Sequence, residues 1–496
     1  MEARGQAGRS ALRLPDAIGP HRVVPFTRRF RLIATAALLL TAAVFGQTAA
    51  AAQGASQPQA QQGQTAGNFN SSSKASTSGA QSKPPDFSTE PYVLLFTKAR
   101  VAFQGDGSYT SEITLRAKVQ SAAGVQQLGV INAPYASATS KMEVMYVKVT
   151  KPDGTVVTTP TENVLDMPAP ITQQAPFYSD LKVQQVAVKG LAVGDTIEYQ
   201  FREKSIKPID PGQFWYDINF DKDAVALDQE AEVSVPQGQY VKTQSPSLQP
   251  TLQQKDGRTI YTWKTAHLEG TGAGKDATPD TPQQPLMQIS TFHNWGEVGA
   301  WFSGLTMPQA VPTPDVRAKA LELTREAKTD QEKIEALYDF VSTKYRYIGI
   351  DFGIGRYQPH TASEVLANDY GDCKDKHTLL AALLAAVGIK AYPALISTGT
   401  DVDPEIPSPA QFDHVITAVP QGQGYLFLDT TPEVAPFGYL IAALRDKKTL
   451  VIPGQGTATL VQTPGDPPFQ SMFAFQSDGT GIEPASSRPK ASALPK

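Results

Sequence analysis

The sequence predicts a multidomain protein, with an antiparallel β-sandwich in the first half followed by an α+β domain. Three observations carry this. The chain has 496 residues, and at roughly 150 residues per domain that is about three domains' worth of chain. Short period-two apolar runs separated by turn residues fill 91–285. From about Thr291 the pattern changes to apolar residues at helical spacing. Hydrophobic residues make up 41% and aromatics 8%, enough for real cores, so wholesale disorder, a collagen-like chain and a multi-spanning membrane protein are excluded. Lys and Arg number 44 against 48 Asp and Glu, a net charge of −4. That balance argues against nucleic acid as a partner, which needs a basic face. One cysteine, Cys373, rules out an intramolecular disulfide and leaves too few thiolates for a zinc ribbon or an iron–sulfur cluster.

The first 52 residues read as an export signal. Arg28, Arg29 and Arg31 precede the 14-residue apolar run Leu32 to Phe45, followed by Thr48-Ala49-Ala50-Ala51-Ala52-Gln53. A basic start, a short apolar run and a small-residue exit is the signal-peptide pattern. At about 1.5 Å per residue the run covers ~21 Å, too short for a comfortable membrane span. The expectation is an exported protein, periplasmic or extracellular, with no membrane span after signal cleavage. Thr27-Arg28-Arg29 also fits a twin-arginine signal. Residues 53–90 are rich in Gln, Ser, Gly and Ala; such a segment buries too little to offset its ordering entropy and reads as a linker.

The β-rich region is expected over 91–285. Tyr109 to Val119 alternates after Gly105-Asp106-Gly107, and Met142 to Thr150 meets Thr155-Val156-Val157 across Lys151-Pro152-Asp153-Gly154. The second is a hairpin signal, since Pro pre-sets φ and Gly tolerates positive φ. Val183–Val188, Thr196–Arg202, Ala231–Val235 and Thr259–Lys264 read as further strands. No titratable constellation stands out there, and His267 reads as a surface or loop residue.

The chemistry is concentrated in 286–445. Thr313-Pro314 opens a helix through Lys328. Thr329-Asp330-Gln331-Glu332 is a capping box for a second helix, with Ile334, Leu337, Tyr338, Val341 and Tyr345 on one face. Tyr345–Ile350 reads as a strand. Asp372 is a good N-cap and Gly388 a good C′ residue for a buried apolar helix with Cys373 in its first turn. There the macrodipole favours a thiolate, and Lys374 and Lys376 are expected to add positive potential. Ala391–Ser397 reads as a strand. A hairpin follows from Phe412-Asp413-His414-Val415 to Leu428-Asp429-Thr430. With a Pro420–Gln423 loop, Val419 faces Gly424 and His414 faces Asp429. Directly opposed side chains lie about 4.5–5.5 Å apart at Cβ, so the carboxylate can fix the imidazole tautomer.

Tyr370-Gly371-Asp372-Cys373-Lys374-Asp375-Lys376, Phe412-Asp413-His414-Val415-Ile416 and Leu428-Asp429 together resemble the transglutaminase-like superfamily. The resemblance extends to bacterial exported proteins that place a DUF3857 domain in front of this core, through Tyr345–Ile350, Ser363–Asn368, Ala435–Leu440, Asn132–Tyr135 and Gly212-Gln213-Phe214-Trp215-Tyr216. It implies a papain-like fold, with Cys373 as nucleophile, His414 as general base and acid, and Asp429 as the orienting residue. The remainder, 446–496, is expected to be a C-terminal tail, truncated or disordered, where proteins of this architecture often carry another β domain.

A lone cysteine is more often a buried small hydrophobe than a nucleophile; the ordered Cys–His–Asp set is what lifts Cys373 above that reading. His360 and His377 are rival bases, but His377 lies one turn down the helix of Cys373 and points along its flank. Tyr347 and Gln358 are candidate oxyanion donors beside the Cys373 N–H. The reaction expected is cysteine-dependent acyl transfer on a protein or peptide, with no cofactor and no metal. No His-Glu-x-x-His motif or EF-hand spacing occurs. The alternative is a non-catalytic periplasmic binding or scaffolding module.

Overall fold

The computed structural model describes residues 87–465 apart from 174–179, 246, 270–286, 350–352, 434 and 455. The expected export signal, most of the expected linker and residues 466–496 therefore lie outside the described residues.

Strands β1 (Tyr92–Phe103) and β2 (Tyr109–Val119) form a long hairpin. Its turn needs Gly107, whose φ is +86°; a Cβ there would meet the Asp210 and Gln213 carbonyls at 2.7 and 2.8 Å. After α1 (Ala122–Leu128) come β3 (Val130–Ala136), β4 (Ser140–Thr150), β5 (Val156–Thr158), β6 (Val164–Pro168), β7 (Leu181–Ala187) and β8 (Thr196–Ser205). Then follow β9 (Trp215–Ile218), β10 (Ala226–Pro236), β11 (Lys242–Gln244), β12 (Thr251–Lys255), β13 (Arg258–His267) and β14 (Met287–Ser290). Eight strands make one sheet in the order β12-β13-β10-β1-β2-β8-β4-β5, and two three-stranded sheets, β3-β7-β6 and β11-β14-β9, accompany it. The expected β4–β5 hairpin is present, with Thr150 opposite Val156.

The large sheet is not wholly antiparallel: two neighbouring inner strands, β1 and β10, run parallel. These strands are more than a hundred residues apart, and local alternation carries no information about a pairing that distant. Both small sheets cover the same face of the large one. Leu94, Leu115, Ala117 and Tyr199 pack with Ile131 and Val186; Val101, Phe103, Val233 and Trp263 pack with Ile218 and Ile289. Even-numbered Leu94 and odd-numbered Val101 share that face because β1 shifts register between Leu94 and Phe96, and β10 shifts between Ala226 and Gln229. The opposite face carries cross-strand ion pairs: Lys98 and Lys264 both on Glu230, Arg202 on Glu112 at 2.7 Å, and Arg100 on Glu232.

The second half begins with α2 (Trp295–Thr306), α3 (Pro314–Leu323) and α4 (Asp330–Lys344). The Thr329 capping box forms. Helix α3 stops at Leu323, short of the expected Lys328, where the Thr324 hydroxyl donates back to the Ala320 carbonyl at 2.8 Å. Within the strand expected over 345–350, the described residues form the short β15 (Arg346–Tyr347), paired with β16 (Tyr370–Gly371), which follows α5 (Ala362–Asn368), and the Ile348 N–H donates to the Gly371 carbonyl at 3.0 Å. Helix α6 (Cys373–Ala386) is buried over most of its length, its apolar side chains packed among those of α3, α4 and α5. Beyond it β17 (Tyr392–Ile396), β18 (His414–Gln421), β19 (Gly424–Leu428), β20 (Lys448–Gly454) and β21 (Thr457–Gln462) form a sheet in the order β19-β18-β17-β20-β21.

Two expected boundaries shift. β14 lies past residue 285 yet pairs with β9 and β11. β20 and β21 lie past residue 445 yet belong to the second sheet, because Leu450, Val451 and Ile452 are buried in it. The two halves meet in two apolar patches. In one, Ala136 and Leu181 of the sheet half pack with Ile348 and Tyr370. In the other, Ile209 and Trp215 join the cluster that contains Cys373.

Candidate active site

Helix α6 starts at Cys373 because Asp372 caps it. The Asp372 Oδ1 accepts the Lys374 and Asp375 N–H groups at 3.1 Å each, and the Asp375 carboxylate accepts the Asp372 N–H at 3.3 Å. Gly371 makes room for this box, since a Cβ there would lie 2.7 Å from the Asp375 Cβ. Cys373 is thereby fixed at the first helical position, 8% exposed, among Phe292, Tyr357, Leu395, Phe412 and Val415.

His414 begins β18, with its ring near enough to Cys373 for each to act on the other's proton. Its Nε2 lies 3.2 Å from the Asp429 Oδ2, so Nδ1 is the nitrogen left for the sulfur. The other Asp429 oxygen accepts the Thr431 N–H at 2.9 Å and the Thr431 hydroxyl at 2.8 Å. His414 and Asp429 are 7% and 1% exposed.

The hairpin register that brings them together differs from the expected one. The turn is Gly422-Gln423, with Gln421 opposite Gly424 and Thr417 opposite Leu428. The expected Pro420–Gln423 loop is shorter by two residues because Pro420 and Gln421 continue β18, and Gly422, at φ +57°, makes the tight turn. His414 is thus not directly opposed to Asp429. The slip is two positions and the side-chain period is two, so both side chains keep the same face and meet diagonally.

The electrostatics differ from expectation too. Burial pushes the Cys373 thiol up, and His414 only partly opposes it. Neither flanking lysine is aimed at the sulfur. Lys374 forms a buried ion pair with Asp372, so its charge is compensated beside the thiol. Lys376 donates to the Tyr345 and Ser342 carbonyls at 2.7 and 3.3 Å, and burial pushes it down to about 8. Burial works to lower His414, but the Asp429 carboxylate, with Cys373, holds the ring well above the usual imidazole range. Burial likewise works to raise Asp429, yet His414 and the two Thr431 donors keep it below its ordinary value.

The rival histidines have separate partners. The His377 Nδ1 lies 2.8 Å from the Thr417 hydroxyl, and burial pushes the ring down to about 3. His360 donates its N–H to Asp375 at 2.8 Å, with Nδ1 3.2 Å from both carboxylate oxygens. Of the oxyanion candidates, Tyr347 is 40% exposed on β15 with its hydroxyl over Gly349. Gln358 is half-buried and directly follows Tyr357 of the Cys373 cluster. Residues that sequence reasoning passed over are Trp215, Trp301 and Tyr357. The Trp215 Nε1–H donates to the Tyr357 hydroxyl at 2.9 Å, and the Trp301 ring lies 4.9 Å from both. The only signal for Trp215 was its place in the Gly212–Tyr216 stretch. Among the described residues no group of three or more His, Cys, Asp or Glu is placed to hold a metal ion, and no helix is long and apolar enough to cross a membrane.

Two family models match the chain in order: a Domain of Unknown Function, DUF3857, over residues 105–270, and the transglutaminase-like superfamily over 317–430. The chain carries a DUF3857 domain followed by a transglutaminase-like domain. A crystal structure of a candidate protease from Parabacteroides distasonis ATCC 8503 is 17% identical, with 76% of this chain and 72% of that one aligned at a TM-score of 0.65. That likeness spans both halves and shows a shared fold. A candidate cysteine protease from Cytophaga hutchinsonii is 13% identical over 50% of this chain and 78% of that one, at a TM-score of 0.22. An M1 zinc metallopeptidase from Deinococcus radiodurans is 10% identical over 40% and 42%, also at 0.22. The last two superpose too loosely to bear on the transglutaminase-like domain. No curated protein matches the chain.

Proposed function

We propose that the protein is an exported, cysteine-dependent acyl-transfer enzyme, of peptidase, amidase or transglutaminase type, acting on a protein or peptide. The observation that carries this reading is the buried line from the Cys373 thiol through the His414 ring to the Asp429 carboxylate. In it Cys373 is the nucleophile. Cys373 and His414 share one proton, which the raised affinity of the ring holds on His414 as the sulfur attacks an amide or ester carbonyl; the ring then gives it to the departing amine or alcohol. Asp429 holds the ring with Nε2 toward itself and stabilises the imidazolium. The oxyanion meets the Cys373 N–H at the head of α6 and a side-chain donor, for which Tyr347 and Gln358 are the candidates. The resulting thioester is resolved by water or by an amine, with His414 accepting the incoming proton. Export rests on the Arg28–Gln53 pattern.

Iodoacetamide labelling at about pH 6 tests the nucleophile, because an ordinary thiol with a pKa near 8.5 reacts slowly there. Cys373 is expected to label faster than a free thiol and faster than in His414→Gln. Equal rates in all three would sink the enzyme reading. The burial that pushes the thiol up favours the second reading, a non-catalytic binding module. Its signature would be a set of captured partners unchanged by Cys373→Ala, together with no turnover of any peptide library.

A further inference from the structure

The segment Tyr357-Gln358-Pro359-His360 is held from both sides by the sheet half of the molecule. At one end, Trp215 of β9 donates to the Tyr357 hydroxyl, and its ring crosses the Tyr357 ring edge-on at 5.5 Å. At the other end, the charge of His360 acts weakly on the Asp180 carboxyl, immediately before β7, against the burial that pushes it up. Beside that pair, Leu181 packs in one apolar patch with Ile348 and Tyr370. Between these anchors Tyr357 and Pro359 are buried. The inner end of the segment grips the head of α6, since both the backbone N–H and the ring of His360 engage the Asp375 carboxylate. That same carboxylate accepts the Asp372 N–H and so fixes the residue before Cys373.

We propose that His360 is a positioning residue for Cys373, and that the DUF3857 half sets the reactivity of the sulfur through Trp215, Tyr357 and His360. The inference rests on Cys373 being the nucleophile. Its physical basis is that a carboxylate fixed by several donors holds the helix head in one place, and the thiol–imidazole interaction depends on that place. The charged groups facing His360 are Asp375, Asp372 and Lys374 at the head of α6, Glu364 on α5 and Asp180 from the sheet half. The sheet half is then a working part of the active site.

The test is the pH profile of Cys373 alkylation in the full chain, which needs no substrate. His360→Leu removes the ring donor to Asp375; His360→Asn restores an N–H near the position of Nδ1. The His360→Leu variant is expected to raise the midpoint by about one pH unit, roughly a tenfold slower reaction below it. The His360→Asn variant is expected to return most of that shift, which a merely space-filling role would not do. Trp215→Phe keeps an aromatic ring and removes only the donor to Tyr357; a smaller rise, about threefold in rate, is expected. Should His360→Leu fail to fold, Trp215→Phe carries the test alone. Midpoints equal to wild type in both His360→Leu and Trp215→Phe, or His360→Asn no better than His360→Leu, would overturn the inference. The wild-type rate against a free thiol tests the proposed function; the displacement between wild type and variants tests this inference, and each is read separately.

Discussion

Replacing Asp429 by Asn removes one charge and almost no volume, and its outcome is set by Thr431. The Asp429 Oδ1 accepts both the Thr431 N–H and its hydroxyl, so the amide oxygen of Asn takes that place and the amide N–H₂ is turned toward His414. The N–H₂ then donates to Nε2, forcing the proton of a neutral ring onto Nδ1, the side of the sulfur. The ring can no longer accept the thiol proton. Two unit charges about 4 Å apart at an effective dielectric near 20 interact by about 4 kcal/mol, and the Asp429 carboxylate is the largest cause holding the ring up, so its loss lowers the His414 pKa. An inverted tautomer in an analogous triad costs about 10⁴ in rate; with an intrinsically nucleophilic thiol we expect about 10² to 10⁴. The assay is the alkylation rate of Cys373 across pH, with turnover of peptide substrates in parallel. The pH dependence of stability changes as well. His414 has a raised folded pKa, so its contribution is fully present below about 6.5 and is lost as pH rises through the folded value. In Asp429→Asn that dependence disappears. An alkylation profile and a turnover rate both equal to wild type would refute the triad argument.

Cys373→Ala should abolish labelling and turnover while changing the urea midpoint by no more than about 1 kcal/mol of stability, since only one small buried group is lost. Gly371→Ala places a Cβ 2.7 Å from the Asp375 Cβ, and a destabilisation of about 1–3 kcal/mol is expected from thermal melts. His377 is buried and neutral, its pKa pushed down to about 3. A depressed histidine stabilises above its unfolded pKa, so stability should fall as pH drops from about 6.5 toward 3, by up to ~4 kcal/mol. His377→Gln should flatten that limb of the Tm-against-pH curve and leave the labelling of Cys373 in place, which would not hold if His377 were the base.

Several features were legible because their causes are local. The Thr329 capping box and the Asp372 cap each lie within four residues of what they satisfy, and both formed where the sequence placed them. The His414–Asp429 contact was read through a wrong register and still found, because a slip of two leaves both side chains on their face. The parallel β1–β10 pair was not legible, nor were the two register shifts that keep Leu94 and Val101 on one face. Alternation in the sequence reports which residues share a face only while the strand is regular.

The amino-acid sequence by itself determined the order of a sheet half and a helical half, the head of a buried helix at Cys373, and the histidine and aspartate on a following hairpin. These follow from periodicity, caps and turn chemistry, which act over a few residues. The tertiary structure alone decided the electrostatics. Burial raised the thiol, Asp372 neutralised Lys374, and Lys376 turned away to the end of α4. It also brought Trp215, far earlier in the chain, against Tyr357 beside the candidate nucleophile. Solvent exclusion and contacts between distant segments exist only once the chain has closed on itself, and it is they that set charge and position at the sulfur.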